Sequence, residues 1–232
     1  MRTVFFKIYL ALYMLETLVY ALKVRILDKR GKEEEKKAYV DKITSNWGRD
    51  MMWAVGGKVE VIGVHNIPDR NVLYVSNHVG NADIPLLLGY LPKPKGFIAK
   101  IELKKVPIIS FWMKQIGCLF IDRSSIRQSM DMILEGIEML KNGNTLVVFP
   151  EGTRSKGQGI GEFKKGSLQL AVKSGVPVVP VTIYDSHKIY EEHNAIKPAK
   201  IKIVVHPPIY MEDLSKDEKK DLAEIVRNVI MA

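Results

Sequence analysis

The sequence predicts an α/β protein, a mixed and largely parallel sheet flanked by helices, preceded by an N-terminal two-helix hairpin. Two observations carry this. From Lys58 onward, short apolar runs of strand length alternate with helical stretches, the pattern of a sheet covered on both faces. Before Lys58 the chain carries two long helical patterns separated by a turn at Asp28–Lys32 that contains Gly31. The division is therefore placed after residue 55, with 1–55 as the hairpin and 56–232 as the α/β domain. With 232 residues, 47% of them hydrophobic and 26% charged, the chain is long enough for a sizeable core and unlike disordered or low-complexity sequences.

The first helix contains an apolar run, Ile8 to Leu22, broken only by Glu16 and Thr17. As a helix it spans roughly 22 Å, short of the ~30 Å hydrocarbon core. Lys23 and Arg25 follow it rather than a small-residue cleavage site, so a cleaved signal peptide is not expected. At 100° per residue, Arg2, Tyr9, Tyr13, Glu16, Tyr20 and Lys23 fall within about 80° of one another, and the remaining circumference is mostly apolar. Such a helix is expected to lie in one leaflet, its tyrosine stripe facing water or another helix. A buried core helix is the alternative. The second helix is predicted over Glu33–Val55, opened by Glu33, Glu34 and Glu35 at the positive end of its dipole. Val40, Ile43, Trp47 and Ala54 keep helical spacing, and Trp47 and Trp53 are candidate interface anchors.

Strands are predicted at Lys58–Ile62, Val72–Ser76, Gly96–Ala99, Cys118–Ile121, Thr145–Phe149, Val178–Ile183 and Ile201–Val205. Helices are predicted at Ile84–Tyr90, Ile108–Ile116, Ile126–Lys141, Phe163–Lys173 and Leu214–Ile230, with Pro92–Gly96 as a loop.

Charge points to an anionic partner. Thirty-five Lys and Arg against 26 Asp and Glu give +9. The surplus is concentrated in residues 93–173, which hold 14 basic and 7 acidic residues, and this suggests a site more than a basic tail. A lysine-rich solvated surface is the plainer explanation. Nucleic acid fits poorly because no aromatic–basic stacking pattern is present. The single cysteine, Cys118, excludes an internal disulfide framework, lies in an apolar strand, and reads as core rather than nucleophile. His65, His187, His193 and His206 have no partner at ligand spacing, so no metal site is expected.

Four blocks at strand ends carry polar residues that need a reason. Asn77-His-Val-Gly-Asn-Ala-Asp83 follows a strand and precedes Ile84-Pro85, where a helix can begin. On one helix, His78 and Asp83 would lie about 140° apart. In a strand–turn–helix the chain folds back and the carboxylate can fix the imidazole tautomer, leaving the other nitrogen as a general base. Gly117-Cys-Leu-Phe-Ile-Asp-Arg123 ends a strand in two charges. Phe149-Pro-Glu-Gly-Thr-Arg-Ser155 offers a glycine for close backbone approach and an arginine fork that matches phosphate oxygens. Val179-Pro-Val181 is a stiff apolar strand. Taken singly, the first reads equally well as a histidine capping a turn, the second as a surface ion pair and the third as an ordinary glycine turn, and the fourth reads better as plain core.

In this order the four blocks resemble the glycerolipid acyltransferase family, through its NHxxxxD, GxxFxxR, FPEGTRS and VPV motifs, over about residues 58–210. The chain looks most like the bacterial 1-acyl-glycerol-3-phosphate acyltransferases. Many members carry Ser two residues after the histidine, where this chain has Gly80. The resemblance implies that His78 takes the proton of the acceptor hydroxyl while Asp83 holds the imidazolium. The alkoxide then attacks a fatty acyl thioester without an acyl-enzyme. Backbone N–H groups near Asn77–Gly80 or at Gly152 are candidates to stabilise the oxyanion. It also implies that Arg123, Gly152, Thr153 and Arg154 bind substrate and that Lys100 and Lys164 contact the acceptor phosphate. Glu151 would order the arginines or the acceptor glycerol. The implied partners are lysophosphatidic acid, an acyl carrier protein or coenzyme A thioester as donor, and an anionic membrane surface. No cofactor is implied, and the location is the cytoplasmic face of the cell membrane, held monotopically by the hairpin. Glycerol 3-phosphate or another lipid as acceptor remains open, as does a non-catalytic module binding anionic membranes. A serine hydrolase elbow and a P-loop are both absent from the sequence.

Overall fold

The computed structural model describes residues 1–122 and 124–232. Helix α1 (Arg2–Lys29) and helix α2 (Glu33–Val55) form the hairpin, turned by Gly31 at φ +65°. Helix α1 is longer than its apolar run, at 28 residues, and is long and apolar enough to cross a membrane by length and composition. Its tyrosine stripe faces a helix for two of its three members. Tyr13 Oη donates to Asp50 Oδ2 of α2 at 3.0 Å, and the Tyr9 ring lies 6.1 Å from that of Trp53, while half-buried Tyr20 donates to Glu16 of its own helix. Val4, Phe5, Ile8, Leu12, Leu15, Leu18, Val19, Leu22 and Ile26 are exposed on α1.

Helix α2 is drawn into the main core, to which it contributes Met51, Met52 and Val55. Its crossing with helix α3 (Asp83–Tyr90) is made by two glycines. A Cβ on Gly48 would stand 2.4 Å from Pro85 O and 2.6 Å from Gly89 N, and one on Gly89 would stand 2.8 Å from Arg49 N. Arg49 Nε donates to Gly89 O at 2.8 Å across the same crossing.

The sheet contains β1 (Lys58–Ile62), β2 (Leu73–Ser76), β3 (Gly96–Lys100), β4 (Leu119–Ile121), β5 (Leu146–Val148), β6 (Val178–Tyr184) and β7 (Lys200–Val205), in the order β1-β7-β6-β2-β5-β3-β4. All neighbours are parallel except β6 and β7. The central strands β2 and β5 are buried at every residue, as expected of parallel strands covered on both faces. Pro180 is tolerated inside β6 because its missing N–H falls before the β7 ladder begins at Val181↔Val205, while its carbonyl accepts from His206 N–H at 2.9 Å. One face of the sheet packs on α2 and α3. The other packs on α5 (Ile126–Lys141), α6 (Lys165–Ser174) and the C-terminal helices. Helix α4 (Pro107–Gln115) connects β3 to β4.

One predicted element divides. The stretch Leu214–Ile230 is two helices, α7 (Lys216–Lys220) and α8 (Leu222–Met231), separated at Asp221. The first is set by a Ser215/Glu218 capping box, the second by the apolar face Leu222, Ala223, Val226 and Ile230 that it buries. The carboxyl ends of the parallel strands β2 to β6 share one edge of the sheet, the edge at which open α/β folds bind ligands.

Candidate active site

The first block forms the tight loop between β2 and α3. Asn77 ends the strand with its side chain acting as a rung of the ladder, Nδ2 donating to Ile183 O at 2.9 Å and Oδ1 accepting from Ile183 N–H at 2.8 Å. The chain then folds back so that Asp83, in the first turn of α3, reaches the histidine. His78 Nδ1 lies 2.7 Å from Asp83 Oδ2. A carboxylate can only accept, so the ring proton sits on Nδ1 and the lone pair of the neutral imidazole on Nε2. Asp83 is fully buried, and Oδ2 also accepts from Val79 N–H at 2.6 Å and Gly80 N–H at 3.0 Å. The imidazole stacks on Phe149, with centroids 4.1 Å apart and planes 19° apart.

The third block leaves β5 beside it. Glu151 is buried, and its carboxylate is committed to backbone rather than to arginines. Oε1 accepts from His78 N–H at 2.6 Å and Oε2 from Gly161 N–H at 2.9 Å. Ser155 N–H and Lys156 N–H donate to the carbonyls of His78 and Val79 at 2.8 and 3.0 Å, so the two loops are laced together. Arg154 bonds Asn81 Oδ1 and lies 3.7 Å from Glu191 Oε1.

His78, Asn81, Phe149 and Arg154 border a cavity of about 960 Å³, large enough for a long hydrocarbon chain. Its polar end is walled by His78, Asn81, Lys100, Gly152, Thr153, Arg154 and Lys164. Its apolar end runs between the hairpin helices past Leu10, Met14, Thr17, Ile43, Thr44 and Trp47. Of the residues predicted from sequence, the structure thus brings together His78, Asp83, Lys100, Gly152, Thr153, Arg154 and Lys164, and sets Glu151 behind them. Arg123 lies outside the described residues. Trp47 lines the cavity instead of facing outward, whereas Trp53 is largely exposed.

Of the backbone donors named as oxyanion candidates, those of His78, Val79, Gly80 and Gly152 are occupied, as is the neighbouring Asn81 N–H. The N–H groups of His78, Val79, Gly80 and Asn81 serve Glu151, Asp83, Asp83 and Glu191, and Gly152 N–H donates to Phe149 O at 3.0 Å. Cys118 borders the cavity, but burial pushes its thiol up to about 12, which keeps it protonated near neutral pH. Among the described residues, no group of three His, Cys, Asp or Glu is placed to hold a metal ion.

A family model described as Acyltransferase matches residues 58–184, the span that carries all four blocks. The chain belongs to the acyltransferase family. It is 32% identical over 182 residues to the 1-acyl-sn-glycerol-3-phosphate acyltransferase of Borreliella burgdorferi, covering 78% of this chain and 73% of that one. It is 34% identical over 188 residues to a probable 1-acyl-sn-glycerol-3-phosphate acyltransferase of Mycoplasma pneumoniae, covering 75% and 70%. The crystal structure of the 1-acyl-sn-glycerophosphate (LPA) acyltransferase PlsC from Thermotoga maritima matches with a TM-score of 0.84 at 31% identity, covering 99% of this chain and 93% of that one. This acyltransferase therefore shares the PlsC fold, hairpin included.

Residues not singled out from the sequence complete the site. Phe149 supplies the imidazole platform, and Ser186 and Glu191 arrive from the connection after β6. Phe149 stands inside the third block and was legible there as an aromatic at a strand end. Ser186 and Glu191 stand 103 and 110 residues from their partners, beyond any spacing argument.

Proposed function

We propose that this acyltransferase moves a fatty acyl group from an acyl carrier protein or coenzyme A thioester to the sn-2 hydroxyl of 1-acyl-glycerol 3-phosphate, giving phosphatidic acid. The observation that carries this reading is the His78–Asp83 pair standing where a cationic rim meets a deep apolar cavity. His78 Nε2 takes the proton of the acceptor hydroxyl, and Asp83 stabilises the imidazolium that forms. The alkoxide adds to the thioester carbonyl. Collapse of the tetrahedral intermediate expels the thiolate, which receives the proton from Nε2. Base catalysis of this kind supplies about 10²–10⁴-fold, and positioning of both substrates supplies much of the rest.

Arg154, Lys100 and Lys164 hold the acceptor phosphate. Arg123 belongs to the same group by its motif. Thr153 and Gly152 shape the wall beside them. The apolar end of the cavity takes an acyl chain, and the chemistry as written consumes no cofactor. Residues 1–55 serve as the membrane unit. The exposed apolar face of α1 rests in one leaflet at the cytoplasmic face of the cell membrane, so that both lipid substrates enter without crossing water.

The test is phosphatidic acid formation from lysophosphatidic acid and an acyl thioester in detergent, with His78→Ala beside the parent. A rate at least about 10²-fold lower in the variant supports the assignment. Equal rates remove His78 from the mechanism.

A further inference from the structure

The connection between β6 and β7 emerges at the same sheet edge as the four blocks, and it belongs to none of them. It begins with Asp185 at φ +66° and the short 3₁₀ turn Ser186–Ile189. Ser186 is fully buried, and its Oγ donates to Asp83 Oδ1 at 2.5 Å. Among the described residues, the other contacts of the Asp83 carboxylate fall on Oδ2, from His78 and the N–H groups of Val79 and Gly80, within five residues of Asp83 itself. Held by Oδ2 alone, a carboxylate can swing about its Cβ–Cγ bond. A donor on Oδ1 from a different strand ties its plane to the sheet.

Glu191, from the same connection, has a side chain only 5% exposed. Its Oε1 accepts from Asn81 N–H at 2.7 Å and lies 3.7 Å from Arg154 Nη1, while Oε2 has no hydrogen-bond partner among the described residues. Gly80 makes room for it, since a Cβ there would stand 2.7 Å from Glu191 Oε2. A buried anion so placed draws one end of the guanidinium inward, with Asn81 Oδ1 on the same nitrogen, and turns the rest of the fork toward the cavity.

We infer that this connection is a positioning strap, in which Ser186 orients Asp83 and Glu191 orients Arg154. The inference rests on the reading of His78 as base and Arg154 as phosphate ligand, and it separates two effects that simple packing would merge. Ser186 acts on turnover, Glu191 on acceptor binding.

The experiment uses the full chain in detergent with lysophosphatidic acid and an acyl thioester. Ser186→Ala is expected to lower kcat about tenfold, near the value of one charge-assisted hydrogen bond, with acceptor KM within about twofold of the parent. Ser186→Thr keeps the hydroxyl and restores most of kcat. Glu191→Gln, which keeps an acceptor for Asn81 but removes the charge facing Arg154, is expected to raise acceptor KM about fivefold with kcat near parental. A parental kcat in Ser186→Ala overturns the inference. So does equal impairment by Ala and Thr, which would mark a packing role, and so does an unchanged or lower KM in Glu191→Gln. His78→Ala run alongside separates the two levels. If it keeps the parental rate, the base assignment fails. If it is inactive while Ser186→Ala is parental, the strap alone fails.

Discussion

The two ends of the cavity are built on opposite principles. At the sheet edge, polar groups are committed to one another. Asp83 accepts on both oxygens, Glu151 gives both of its oxygens to backbone amides, and two loops are laced by main-chain bonds. Between the hairpin helices the wall is apolar apart from Thr17 and Thr44, whose hydroxyls bond to carbonyls of their own helices. Proton transfer requires fixed atoms, whereas holding a hydrocarbon requires only volume and an apolar lining. The first end should therefore fail sharply on loss of one atom, and the second should respond to bulk and to surface character.

The largest effect is expected for Asp83→Asn. Its shape is nearly unchanged, but an amide can neither accept from all these donors nor stabilise the imidazolium. Phosphatidic acid formation should fall about 10³-fold or more. A loss under tenfold would show that the polar end tolerates the exchange of a single atom.

Gly48→Ala comes next, and it asks whether the apolar end relies on rigidity after all. The added methyl meets Pro85 O and the backbone of Gly89, atoms that cannot move without displacing α3. Thermal or denaturant unfolding should show a loss of about 2–3 kcal/mol. Parental stability would mean that the crossing adjusts as freely as the cavity beyond it.

A smaller effect concerns the outer face of α1. Because Met51, Met52 and Val55 of α2 belong to the core, removing the whole hairpin would damage the fold. Replacing exposed Leu12, Leu15 and Val19 by Ser avoids that. Partition onto anionic vesicles should drop about tenfold or more, with activity on detergent-dispersed substrate retained. Unchanged partition would remove α1 from the docking surface.

The smallest effect sharpens the contrast between satisfied and unsatisfied buried charge. Lys95 is buried with a single acceptor among the described residues, Leu91 O at 2.9 Å, and burial lowers its ammonium from 10.5 to about 8, with Asp41 opposing in part. Below pH 8 the group is charged folded and unfolded. Between pH 8 and 10.5 the unfolded chain holds more protons, so stability rises with pH across that window. Lys95→Met should flatten this rise relative to the parent, by on the order of 1 kcal/mol, in denaturant unfolding at the two pH values. An identical slope would mean that the lysine stays solvated.

Much of the catalytic edge could be read in the chain because each block follows its own strand directly. The fold-back that joins His78 to Asp83 is a local consequence of strand, turn and helix start. The role of Glu151 was not legible. Its motif places it beside the arginines, and only the docking of the β5 loop against the β2 loop gives its carboxylate to His78 N–H. The break at Asp221 was likewise hidden, because the apolar period of Leu214–Ile230 continues across it.

What the sequence determined by itself was local: strand and helix alternation, a hairpin with one apolar face, and histidine, carboxylate and arginine at strand ends. Tertiary structure decided which of these meet. Parallel pairing brings the ends of β2, β5 and β6 to one edge, so Ser186 reaches Asp83 across 103 residues and Glu191 reaches Asn81 across 110. The glycine crossing of α2 on α3 brings the hairpin close enough to wall the cavity. Periodicity and spacing report what a residue does within its own element. Contacts between elements depend on register and on which backbone can approach which, and those are properties of the packed chain.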